Sequence, residues 1–95
     1  MRTISFVWDP EKDISNQQKH EGVSFEEARS VFYDENARVV FDPLHSMNED
    51  RFIILGLSTK LRLLVVCHCY RESDSIIRLI SARKAFKKEE RYYER

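Results

Sequence analysis

Leu61-Arg62-Leu63-Leu64-Val65-Val66-Cys67-His68-Cys69-Tyr70 is the stretch whose reading decides the fold. It has no Gly, Pro or carboxylate and reads as a strand, with alternate residues on opposite faces. Leu61, Leu63, Val65, Cys67 and Cys69 make one apolar face, the pattern of core packing. Arg62, Leu64, Val66, His68 and Tyr70 make a mixed face that reads as partly solvated. Just upstream, residues 51–57 form a second strand, joined to the first by a tight turn at Ser58-Thr59-Lys60. Downstream, the Glu72-Ser73-Asp74-Ser75 turn leads to a strand over 76–80, and a helix over 83–93 comes next.

Toward the N-terminus, residues 38–41 read as a short strand that Asp42-Pro43 terminates, and 45–50 as a polar loop. Ser24-Phe25-Glu26-Glu27 is a capping box, with Val23 placed to staple onto Ala28. Phe25, Ala28 and Phe32 then share one face of a helix ending near Tyr33. Ile4, Phe6 and Trp8 alternate in a first strand. Asp9-Pro10 opens a helix that runs to about His20, whose only large apolar residue is Ile14. Core burial does not explain that helix, so it is peripheral or presents a surface. The order β-α-α-β-β-β-β-α is that of an α+β fold with a mostly antiparallel sheet, with one domain over 1–95.

Composition narrows the function classes. The 95 residues are 42% hydrophobic and 34% charged, which suits a soluble globular chain and argues against disorder. The longest apolar run, 63–67, is far below a membrane span, and the first residues carry no signal-peptide pattern, so a cytoplasmic protein away from membranes is expected. Net charge is zero but lopsided: residues 1–50 carry −6 and residues 51–95 carry +6. Such a split marks a nucleic-acid or acidic-protein surface, unless the halves interleave and cancel. Cys67 and Cys69 read as buried free thiols; with His68 on the opposite face, four zinc ligands cannot be assembled, so neither metal nor cofactor is expected.

Like charges crowd the last helix. Lys84, Lys87, Lys88, Arg91 and Arg95 stand on one side, while Ala82, Phe86 and Tyr93 can pack on the other. The basic side is either simply solvated or a phosphate-facing, RNA-binding surface. Lys19 and His20 close the first helix, where cations suit the dipole, and a His there can also move protons near neutral pH.

The strings Trp8-Asp9-Pro10, Asn16-Gln17-Gln18-Lys19-His20 and Gly22-Val23-Ser24-Phe25-Glu26-Glu27-Ala28 resemble the BrnT toxins of bacterial type II toxin–antitoxin systems. The likeness continues through Val31-Phe32-Tyr33-Asp34, Asp42-Pro43, His45-Ser46, Glu49-Asp50-Arg51-Phe52 and Leu55-Gly56. It runs on through Arg62-Leu63-Leu64-Val65-Val66 and Ile80-Ser81-Ala82-Arg83-Lys84-Ala85 to Glu90 and Tyr92. The resemblance implies a RelE/ParE-like fold and an RNA-cleaving toxin that inhibits translation. It also implies a BrnA-like antitoxin that neutralises the toxin, binds DNA and represses their shared operon. Carried onto matching positions, the implied functional residues are Lys19, His20, Asp50, Arg51 and Arg83.

In the mechanism this implies, the RNA 2′-hydroxyl attacks the adjacent phosphate without a metal. Arg51 and Arg83, expected to meet on one rim of the sheet, would stabilise the phosphorane, and Lys19 would position a phosphate. His20 would transfer protons and Asp50 would orient Arg51. Two departures stand out: Glu21 intervenes in the usual Lys-His-Gly, and Phe86 replaces a small polar residue, usually Thr. A non-catalytic interaction module binding an acidic partner is the rival reading; a DNA-binding regulator ranks below it, because the helices between residues 10 and 33 are acidic.

Overall fold

The computed structural model describes residues 3–93. Five strands form one sheet in the order β1-β5-β4-β3-β2, where β1 is Ser5–Val7, β2 Arg38–Phe41, β3 Arg51–Leu57, β4 Leu63–Arg71 and β5 Ile76–Lys84. β1 runs parallel to β5, and every other pairing is antiparallel. The helices are α1 (Pro10–Lys19), α2 (Phe25–Ser30), which continues as a 3₁₀ turn over Val31–Tyr33, and α3 (Lys87–Tyr93). The α+β order is as expected from sequence.

Asp9 caps α1 by accepting from the Glu11 N–H at 2.9 Å, with Pro10 in the first turn. Ser24 caps α2 by accepting from Glu27 N–H at 3.0 Å. The capping box is only half formed, because the buried Glu27 carboxylate turns to Arg62 and to the Ser58 hydroxyl instead. Asp13 Oδ1 serves this helix end too, accepting from Phe25 N–H at 2.9 Å.

The core lies on the face of the sheet that the sequence pattern presents as mixed. Leu64 and Val66 of β4, with Ile54, Ile77, Leu79 and Ala82, pack against Val23, Phe25, Ala28 and Val31. His68 and Tyr70 extend this face because they satisfy each other: His68 Nε2 lies 3.1 Å from Tyr70 Oη, and His68 Nδ1 donates to Val66 O. Phe32 and Phe52 pack on the imidazole. Leu61, expected on the apolar face, sits in the turn before β4 with φ +59° and is 79% exposed. Cys69 is buried and Cys67 half-buried on the face away from α1 and α2; both are free thiols, and burial pushes the Cys67 thiol up.

β5 is longer than expected, and α3 correspondingly shorter. Cys67 pairs with Ser81 but His68 with Leu79, so Ile80 is an extra residue in β5. The alternation therefore changes phase: Ile77, Leu79 and Ala82 face the core, while Arg78 and Arg83 face away. The broken alternation makes the strand look finished at Ile80, although Ala82 and Arg83 still pair with Val66 and Val65. Helix α3 starts only at Lys87, where Glu89 Oε1 accepts the Phe86 N–H at 2.7 Å.

β1 pairs β5 only as far as Arg78. Past that point, Asn16 takes the open edge. Its Nδ2 donates to Ala82 O at 2.8 Å and to Val23 O at 2.9 Å, and its Oδ1 accepts from Ala82 N–H at 3.1 Å. It is the single buried residue of α1, so the helix is held by a polar anchor rather than an apolar stripe. An Asn16→Ala change strands both backbone groups of Ala82, each costing about 1–3 kcal/mol. We expect a stability loss of roughly 3 kcal/mol and a melting temperature more than ~10 °C lower, measured by thermal and urea unfolding.

Candidate active site

The sheet face opposite α1 and α2 gathers arginines from four strands. The registers align Arg38, Leu55, Val65 and Arg83 in one row and Arg51, Cys69 and Arg78 in another; Arg71 lies two residues beyond Cys69 on the same side. Val40, Ile53 and Cys67 lie between the rows. A cavity of ≈ 340 Å³ sits over this floor, bounded by Arg38 and Arg83 and by Glu89 and Tyr92 of α3. Tyr93 tethers α3 by donating its hydroxyl to Asp34 Oδ2 at 2.6 Å.

Arg83 is held by several partners at once. Its Nη1 and Nη2 each donate to a separate Glu89 carboxylate oxygen at 2.9 Å, Nη1 also reaches Lys84 O at 3.2 Å, and the guanidinium lies 4.1 Å from the centre of the Phe86 ring. This is the two-pronged geometry by which a guanidinium holds a carboxylate or a phosphate. The Arg83 hydrogen bonds hold the Glu89 carboxyl below the usual carboxylate range, against the effect of burial. Phe86 is half-exposed and engaged with Arg83 rather than packed in the core.

The sequence-predicted site residues divide between two ends of the sheet. Lys19 and His20 finish α1 next to the Asn16–Ala82 anchor, one turn of helix from it, at the end of β5 that carries Arg83. The extra residue Glu21 is absorbed in the loop with φ +55°, and its carboxylate reaches Lys84 at 3.2 Å. Arg51 and Asp50 stand at the opposite end. Four residues along β4 and two strands across separate Arg51 from Arg83, about 16 Å between Cα atoms by ordinary strand spacing. The two arginines share a face, but they do not meet on one rim. Arg51 is oriented toward Glu49, 4.0 Å away, rather than by Asp50, which is exposed.

The basic set on the last helix also divides. Lys84 belongs to β5, on the side of α1; Lys87, Lys88 and Arg91 are exposed on α3; and Arg95 lies outside the described residues. The two halves of the chain interleave, since Glu27 pairs with Arg62, Glu21 with Lys84, and Glu49 with Arg71 and Arg78. Sequence reasoning missed Arg38, Arg71, Arg78 and Glu89. Their common face becomes visible only through strand register and the extra residue in β5. No group of three or more metal-ligating side chains occurs among the described residues.

The class is a small α+β protein whose sheet carries arginines on one face and α1 and α2 on the other, with α3 at the rim of the arginine face. A family model described as the ribonuclease toxin BrnT of type II toxin–antitoxin systems matches residues 8–89, and the chain belongs to that family. It is therefore a ribonuclease toxin whose class has a protein antitoxin as partner. The 1.1 Å crystal structure of the Brucella abortus ribonuclease toxin BrnT is similar in fold. It is 22% identical, with a TM-score of 0.66 over 90% of this chain and 100% of that one. Among curated protein sequences, none matches. No helix among the described residues is long and apolar enough to cross a membrane.

The fully buried His68 should make the stability of the fold depend on pH. Burial pushes its imidazole below the ordinary value near 6.5, against the opposing effect of the hydrogen bond to Val66 O. A base depressed in the folded state lends stability that is present above about pH 6.5 and is lost as pH falls, because the unfolded chain takes up the proton first. Urea unfolding should show stability falling from pH 7.5 toward 5.5, and a His68→Gln variant should lack most of that slope. An equal slope in the variant would assign the response to other groups.

Proposed function

We propose that RNA is cut at the Arg83 end of the arginine face. The observation that carries this is the presentation of the Arg83 guanidinium, stacked on Phe86 and already holding one planar anion group at the rim of an apolar groove. The RNA 2′-oxygen forms a bond to the adjacent phosphorus as the bond to the 5′-oxygen breaks, leaving a 2′,3′-cyclic phosphate and a 5′-hydroxyl. Arg83, released from Glu89 as the phosphate takes its place, stabilises the negative charge that grows on the phosphorane oxygens. In this reading His20 moves the proton and Lys19 steadies a phosphate, the RNA passing round the end of β5 from the face that carries Arg83 to the end of α1 on the other side. The reaction so drawn uses no metal and no cofactor. Arg51 and Asp50 serve the RNA strand away from the scissile bond, because one phosphate cannot span both ends of the sheet. Lys87, Lys88 and Arg91 add non-specific attraction for RNA from α3.

The partner in this reading is a BrnA-like antitoxin that covers the arginine face and, through its own DNA-binding part, represses the shared operon in the cytoplasm. An acidic or amphipathic antitoxin segment meets arginines already concentrated there, so association should slow as salt rises. Stopped-flow association rates that do not change between low and high ionic strength would remove the electrostatic part.

Removing one charge-stabilising donor costs about 10²–10³ in rate. We therefore expect Arg83→Ala to lose RNA cleavage by that factor and to relieve growth arrest, with antitoxin binding and a folded melting profile retained. Arg51→Ala should lose substrate affinity much more than turnover. Full cleavage by a folded Arg83→Ala protein would overturn the assignment.

A further inference from the structure

Three guanidinium groups converge on one carboxylate where β3, β4 and β5 lie side by side, at the end of the face far from Arg83. Glu49 Oε1 is 3.1 Å from Arg71 Nη2, and its Oε2 is 3.6 Å from Arg78 Nη1 and 4.0 Å from Arg51 Nη2. The group carries three positive charges against one negative. Its bonding is short as well: of the three arginines, only Arg71 donates a hydrogen bond to Glu49, and Arg51 Nε is buried without a partner among the described residues. The Glu27–Arg62 pair shows what a purely structural ion pair looks like in this fold. There one guanidinium meets one buried carboxylate, both carboxylate oxygens are used, and the Ser58 hydroxyl completes the set. The Glu49 cluster has the opposite balance, with surplus cations and surplus donors at a half-exposed position.

Resting on the functional reading above, we infer that Arg51, Arg71 and Arg78 form a second phosphate subsite. It takes a phosphodiester of the same RNA strand several nucleotides from the bond that is cut, with Glu49 as the resident group the phosphate displaces. A phosphodiester brings one negative charge and several acceptor oxygens, which is what the cluster lacks. The row holding Arg83 and the row holding Arg51 and Arg78 are four residues apart along β4, about 13 Å at ordinary strand rise. Between them, Val40, Ile53 and Cys67 offer an uncharged floor to the intervening nucleotides. Glu49 lies in the loop between Pro43–His45 and β3, outside any helix or strand, so it can withdraw without breaking a ladder.

The test is fluorescence anisotropy across a salt series with a labelled eight-nucleotide single-stranded RNA. Methylation of its 2′-oxygens removes the attacking hydroxyl. The Arg71→Ala/Arg78→Ala double variant should bind about tenfold more weakly, with the slope of log affinity against log salt reduced by roughly one. Glu49→Gln should bind several-fold more tightly with a steeper slope, an outcome that an ion-pair staple would not produce. A two-nucleotide RNA with a single phosphate should not distinguish the double variant from the parent protein. Should the double variant fail to fold, Glu49→Gln and the charge-retaining Arg71→Lys/Arg78→Lys variant decide the matter, the latter keeping most of the parent slope. An unchanged slope in a folded double variant, or no tightening with Glu49→Gln, overturns the subsite. If Arg83→Ala has nevertheless lost cleavage, only the subsite fails; if Arg83→Ala cleaves fully, the reading beneath it fails.

Discussion

The fold and its arginine face depend on a single extra residue in β5 and on the amide that fixes the strand beyond it. With an unbroken alternation, Ile77, Leu79 and Arg83 would share a face, and a guanidinium would point into the core between α2 and the sheet. Ile80 changes the phase, so Ala82 fills the core position and Arg83 turns outward. That arrangement needs β5 to stay extended where β1 no longer accompanies it. Asn16 supplies the missing edge by presenting one donor and one acceptor to Ala82, as a neighbouring strand would. The same amide places the end of α1, with Lys19 and His20, beside the end of β5. Core packing and the geometry of the proposed cleavage site thus rest on one set of hydrogen bonds.

Carboxylates have two distinct jobs in this chain. Glu27 is buried with Arg62 and Ser58. Burial alone would raise its pKa, but the Arg62 and Ser58 hydrogen bonds hold its carboxyl below the usual range. Breaking such a pair leaves an uncompensated buried charge, so Glu27 belongs to the fold. Glu49 and Glu89 instead sit at the rim of the arginine face, 32% and 25% exposed, each against guanidinium groups that an RNA phosphate would also engage in the proposed reading. They reduce the mutual repulsion of the arginines while no nucleic acid is present. A competing anion can replace Glu49 without creating an uncompensated buried charge, whereas displacing Glu89 also gives up the Phe86 N–H that it accepts at the start of α3.

Much of the fold was legible in the sequence because its signals were local. Asp9-Pro10 and Ser24 marked helix starts, β2 and β3 were bounded by turn residues, and the order of elements emerged from these. What failed was anything that needed a partner to interpret. His68 and Tyr70 looked polar in isolation, yet each satisfies the other, with Phe32 and Phe52 packed on His68 and Phe52 on Tyr70, so the mixed face of β4 became the core side. Asn16 looked like one more polar residue on an exposed helix, because its partner lies 66 residues away.

The candidate site was legible only in fragments for the same reason. Lys19, His20 and Arg83 were nominated through family likeness, and the structure brings the end of α1 close to the end of β5. Arg51 was nominated the same way, but its distance from Arg83 is set by register across two strand pairs, which no spacing in the sequence encodes. Arg71 and Arg78 are seven residues apart across a turn and give no periodic signal, and Arg78 and Arg83 share a face only because Ile80 is extra. A phase change of one residue in one strand therefore separates a sequence with scattered arginines from a surface on which they lie together. Charge totals for the two halves of the chain could not show this. The first half neutralises the second at Arg62 and Lys84 and only partly at Arg51, Arg71 and Arg78, so the surplus that matters is local to one face.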